Sequence, residues 1–80
     1  MYKVIVITDP ETADGFRLAG VDVVAAETPE SVSERIAALM EEENTGILAV
    51  NQGYYDAIDQ RIMEKIESVY RPIVVPIPVR

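Results

Sequence analysis

Three unbroken apolar runs set the rhythm of the chain: Val4 to Ile7, Ile47 to Val50 and Ile73 to Val75. Between them apolar positions recur three and four residues apart, and the alternation of the two patterns predicts a β-α-β-α-β-α-β succession. The first strand reads as Tyr2 to Thr8; the second, Val21 to Ala26, is shorter and interrupted by Asp22. Continuous apolar runs suit strands covered on both faces by helices, and therefore pair in parallel.

The helix starts share a syntax. Asp9-Pro10-Glu11 and Thr28-Pro29-Glu30 each place an acceptor at the N-cap, a proline at the first helical position and a carboxylate near the positive helix end. The first helix ends at Gly20, which can take the left-handed C-terminal conformation. The second helix is predicted from Pro29 to Glu43, closed by Asn44, with Val32, Ile36, Leu39 and Met40 on one stripe. A third, from Gly53 to Val69, buries Tyr55, Ile58, Ile62, Ile66 and Val69 and turns Asp56, Asp59, Glu64, Lys65 and Glu67 to solvent. Right-handed crossovers with helices on both faces require one reversal of strand order, which favours 2-1-3-4. Pro76 agrees, since it cannot donate to a ladder and sends the fourth strand, Pro72 to Ile77, to an edge. The fold class is thus α/β: one domain over residues 1–80, with a four-stranded parallel sheet flanked by three helices in a Rossmann-like or receiver-like winding.

Composition narrows the chemistry. Eighty residues allow one small core, and no apolar run approaches the ~20 residues of a membrane span, so the sequence reads as a cytosolic chain. Without cysteine or histidine, disulfides, thiolate metal sites and imidazole acid–base chemistry drop out. A net charge of −7, with seven scattered basic residues, argues against a nucleic-acid partner and against anionic lipid.

Ligands of open α/β sheets gather beyond the carboxyl ends of the strands where the order reverses, here between the first and third strands. That rim holds Thr8, Asp9, Glu11, Glu27, Asn51, Gln52, Gly53 and Tyr54. A dinucleotide site needs glycines after the first strand, where this chain has Asp9-Pro10-Glu11. A glycine-rich phosphate loop ending in lysine and a hydroxyl is missing as well. A receiver-like or pseudo-receiver signalling domain is the sharper alternative, because Asp9 and Glu11 could hold a divalent ion. Asn51, however, stands where an acyl phosphate would form, and helix capping by Asp9 is favoured over metal binding. An enzyme acting on a small phosphorylated substrate ranks below both. No catalytic, cofactor-binding or metal-binding residue is predicted. Of Tyr54 and Tyr55 at least one ring is expected to be exposed, as a partner contact or as plain surface. Glu41-Glu42-Glu43 oppose the macrodipole at a helix end and read as a solvated terminus.

The hexapeptide Gly15-Phe16-Arg17-Leu18-Ala19-Gly20 lies in the first crossover. Phe16, Leu18 and Ala19 are expected to pack under the sheet, Gly15 to permit close helix-to-strand approach, and Arg17 to serve an interface or brace a nearby carboxylate. The segment resembles the signature of the F subunit of the V/A-type rotary ATPases. Met1-Tyr2-Lys3-Val4-Ile5-Val6, Thr28-Pro29-Glu30 and Pro72-Ile73-Val74-Val75-Pro76-Ile77-Pro78 are similar to the family's opening strand, second helix start and fourth strand. The resemblance implies a non-catalytic central-stalk component that binds the coiled-coil D subunit. Through it the chain would meet the catalytic headpiece and membrane sector indirectly, coupling ATP synthesis or hydrolysis to proton or sodium transport. It also implies a cytoplasmic location, peripheral to the membrane. Arg17, Tyr54, Ile77 and Pro78 are the partner-interface candidates. Family members usually continue into a C-terminal helix, which this sequence, ending at Arg80, lacks; it is expected to be truncated or unusually short. An uncovered edge strand predicts weak self-association in isolation.

Overall fold

Where the apolar runs stand, the computed structural model, which describes residues 1–78, has parallel strands. The chain runs β1 (Lys3–Thr8), α1 (Pro10–Leu18), β2 (Val23–Ala25), α2 (Pro29–Met40), β3 (Thr45–Asn51), α3 (Gln52–Tyr55), α4 (Gln60–Ser68), β4 (Ile73–Ile77). The sheet order is β2-β1-β3-β4, all parallel, as the crossover argument requires. Pro76 lies in the edge strand β4 opposite Val50.

The caps follow their sequence signals. Asp9 accepts from the Thr12 amide at 3.0 Å and Thr28 from the Ser31 amide at 3.3 Å. α1 ends in a Schellman turn: Gly20 has φ of 82°, its amide donates to the Arg17 carbonyl and that of Val21 to Phe16, both at 3.0 Å. α2 stops three residues before Glu43. The amides of Glu41 and Glu42 bond back three residues, to Ala38 and Leu39, and tighten the final turn. Three carboxylates at the negative helix end, with no basic residue in the last turn, work against a longer helix. The Asn44 carbonyl instead accepts from the Lys3 amide at 2.6 Å and draws the chain into the sheet.

The third helix is two. Asp59 caps α4 by accepting from the Arg61 amide at 2.7 Å, while its own amide donates to Ser33 Oγ at 2.9 Å, fastening the break to α2. Most of the stripe survives the interruption, since Tyr55, Ile58, Ile62 and Ile66, joined by Tyr54, pack on the core of Ile5, Ile7, Val32, Ile36, Leu48 and Val50, while Val69 lies past the end of α4 and is exposed. Neither tyrosine of the adjacent pair is fully exposed, contrary to expectation.

Coverage of the sheet is uneven, which corrects the picture of strands buried on both faces. Right-handed winding in this order sends one crossover to one face and two to the other. α2, α3 and α4 share the core face, while α1 packs chiefly on β1 and β2. On α1's face the neighbouring residues Val4, Ile47 and Ile73 form a row across β1, β3 and β4 and remain 51%, 37% and 56% exposed. Within the hexapeptide, Phe16 is half-buried, but Leu18 is 90% exposed and Ala19 exposed, so they do not pack under the sheet. Ala13, fully buried, is the residue of α1 that does. Gly15 serves no close approach among the described residues, because a Cβ added there would meet nothing within 4 Å beyond its own helix.

Candidate functional site

The carboxyl ends of β1 and β3 bring Thr8, Asp9 and Asn51 together, and the three side chains bond chiefly to one another. Thr8, fully buried, donates from Oγ1 to Asp9 Oδ1 at 3.1 Å. Asn51 donates from Nδ2 to Thr8 Oγ1 at 3.1 Å and faces Asp9 Oδ1 at 3.4 Å. Its own Oδ1 accepts the Gly53 amide at 2.9 Å and starts α3. The other Asp9 oxygen is taken by Thr12, and that amide holds the Asp9 carboxyl below the usual carboxylate value. Among the described residues no buried side-chain polar atom lacks a partner.

The rest of the rim is similarly occupied. Tyr54 donates its hydroxyl to the carbonyl of buried Ala26 at 2.8 Å. Burial, helped by the nearby Asp9 charge, pushes that hydroxyl above the ordinary tyrosine value. Gln52 donates to Asp56 at 3.1 Å, and Glu11 and Glu27 lie exposed without joining the cluster. A Cβ at Gly53 would stand 3.5 Å from Asn51 Oδ1, an ordinary contact, so that glycine forms no cradle for a phosphate. No group of three carboxylates gathers among the described residues in a way that could hold a metal ion. The rim's chemistry is that of a clasp between β1, β3 and their following helices.

The partner-interface candidates are dispersed. Arg17 pairs with Asp14 at 3.3 Å on the exposed side of α1. Tyr54 sits half-buried in the rim with its hydroxyl engaged. Ile77, half-buried, ends β4 opposite Asn51, and exposed Pro78 follows it. Sequence reasoning missed the exposed row Val4, Ile47 and Ile73, although counting one crossover against two in the order 2-1-3-4 would have revealed it.

Among the described residues no helix is long and apolar enough to cross a membrane. The chain is 33% identical over 76 residues to the F subunit of the A-type ATP synthase of Methanocorpusculum labreanum, covering 94% of this chain and 76% of that one. Against the F subunit of the V-type ATP synthase of Thermus thermophilus the identity is 31% over 72 residues, covering 90% and 69%. The crystal structure of the V-type ATP synthase F subunit from Archaeoglobus fulgidus has the same fold. It superposes with a TM-score of 0.82 at 21% identity, over 95% of this chain and 96% of that one. Residues 4–80 match the family described as ATP synthase (F/14-kDa) subunit, and with these relatives the match establishes that the chain belongs to the F subunits of the A/V-type ATP synthases.

Proposed function

We propose that the chain is a non-catalytic component of the central stalk, which grips the coiled-coil D subunit and turns with it. In this role it helps couple ATP synthesis or hydrolysis to proton or sodium movement through the membrane sector, from the cytoplasmic side and without entering the bilayer. The family match across residues 4–80 carries this reading. The rim supports it, because Thr8, Asp9, Asn51 and Tyr54 spend their polar atoms on the chain's own architecture. A receiver-like role would need a carboxylate nucleophile where the Asn51 amide instead donates to Thr8.

Titration of the purified chain with the D subunit by calorimetry, followed by its addition to a complex lacking it, tests the proposal. Saturable binding and restored coupling of ATP turnover to ion movement are the expected results. A chain that leaves the D subunit unbound and coupling unchanged refutes the reading, and a phosphoaspartyl adduct formed with acetyl phosphate and Mg²⁺ would favour signalling instead.

A further inference from the structure

Beside the exposed row Val4, Ile47 and Ile73 on α1's side of the sheet lies a second row, Val6, Ala49 and Val75, in which Ala49 is small and buried. At the lower end, Tyr2, Tyr70 and Arg71 border a cavity of about 380 Å³ together with Gly46, Ile47 and Ile73, with the Arg71 guanidinium over both tyrosine rings.

One wall is α1. With Ala13 against the sheet, the ~100° step per residue gathers Thr12, Gly15, Phe16 and Ala19 on one flank. The right-handed crossover from β1 to β2 turns that flank toward β3. These four residues line a shallow cavity of about 370 Å³. Gly15 is the informative member. A glycine inside a helix is a standing cost to stability, and apart from its chain neighbours and its own helix backbone nothing among the described residues comes within 4 Å of the side chain it lacks. A neighbour from outside the chain supplies the missing reason for it.

The dimensions select the occupant. Two strands at ~4.8 Å spacing lie beside α1, giving a width of ~10 Å, the diameter of an α-helix. The exposed apolar area, on the order of a few hundred Å², has the size of an interaction patch. It falls short of the ~800 Å² per partner that a standard protein dimer buries. A second copy fits poorly for a further reason, since each copy carries a charge of −7.

We propose that this surface is a groove that takes a single amphipathic α-helix of a partner protein, with its apolar stripe on Val4, Ile47 and Ile73 and its backbone close to Gly15. The inference rests on the stalk reading above and assigns the gripping face within it.

The test compares binding of the D subunit to the full chain and to three variants, by calorimetry and thermal melting. Ile73→Asp and Gly15→Gln are each expected to weaken binding at least ~10-fold. Gly15→Gln should keep or raise Tm by a few degrees, because it fills open space on a helix. Glu64→Ala, exposed on α4 at the other face of the sheet, binds as the unaltered chain does. If the unaltered chain binds and both groove variants bind equally well, the groove is wrong and the stalk reading stands. If the unaltered chain does not bind, both are wrong. Dimerisation in sedimentation that Ile73→Asp abolishes would make a second copy the occupant and overturn the proposal.

Discussion

Replacing Asn51 by Asp removes two hydrogens and adds one charge, which makes it a direct probe of the clasp between β1 and β3. Asn51 Nδ2 lies 3.1 Å from Thr8 Oγ1 and 3.4 Å from Asp9 Oδ1. The introduced carboxylate would lose the donor to Thr8, worth about 1 kcal/mol, and face the Asp9 carboxylate at similar range. Two like charges ~4 Å apart repel by about 4 kcal/mol at an effective dielectric of ~20, an upper limit here because Asp9 is partly solvated. Screening reduces the combined loss to about 2–4 kcal/mol at pH 7. The pH dependence follows from which group yields its charge. The Thr12 amide holds Asp9 below the usual carboxylate value, so Asp9 stays ionised, and the new group is the one pushed up. The penalty is therefore full above that raised pKa and recedes as pH falls through it. Urea unfolding of both proteins at pH 7 and pH 4.5 measures this. A difference under about 0.5 kcal/mol at pH 7, or one of equal size at both pH values, refutes the clasp as described.

Gly20→Ala places a Cβ at φ of 82° and is expected to cost about 1–2 kcal/mol, or several degrees in Tm; an unchanged melt means that the Schellman turn is not maintained in solution. Tyr54→Phe leaves the buried Ala26 carbonyl without its partner, at about 1–2 kcal/mol by denaturant titration. Because the Tyr54 hydroxyl is raised by burial, its contribution is intact below the ordinary tyrosine pKa and is lost as pH climbs through the folded value. The alkaline limb of the stability profile should flatten in the phenylalanine variant. Arg17→Ala breaks a solvent-exposed pair with Asp14, and a melt shifted by more than about 0.5 kcal/mol would show that the pair does more than its exposure allows.

The fold was largely legible because its signals are local and mutually consistent. Apolar runs marked the strands, Asp9-Pro10 and Thr28-Pro29 marked two helix starts, and Pro76 marked an edge. The split between α3 and α4 was hidden, because Tyr55, Ile58, Ile62 and Ile66 keep helical spacing across it. Asp59 carries the local N-cap signal of α4, but the bond from its amide to Ser33 that fastens the break is long-range, and no local pattern encodes such a bond. Leu18 misled for a related reason. Its apolar side chain suggested burial, but Ala13 takes the sheet-facing position and leaves Leu18 outside. The rim residues were found by position after the strands, while their mutual hydrogen bonding depends on a register that sequence spacing does not reveal.

The bond from Thr8 to Asn51 joins the two interior strands across 43 residues of chain. On the ribosome, at ~5–20 residues per second, β1 therefore emerges about 2–9 s before the strand that completes it. Throughout that interval Ile5, Val6 and Ile7 have only the short β2 as a sheet neighbour; of the core-face helices α2 emerges before β3, while α3 and α4 arrive later still. The nascent chain thus passes through a window in which its most apolar segment is open to chaperone capture, and it closes when the Asn51 amide reaches Thr8.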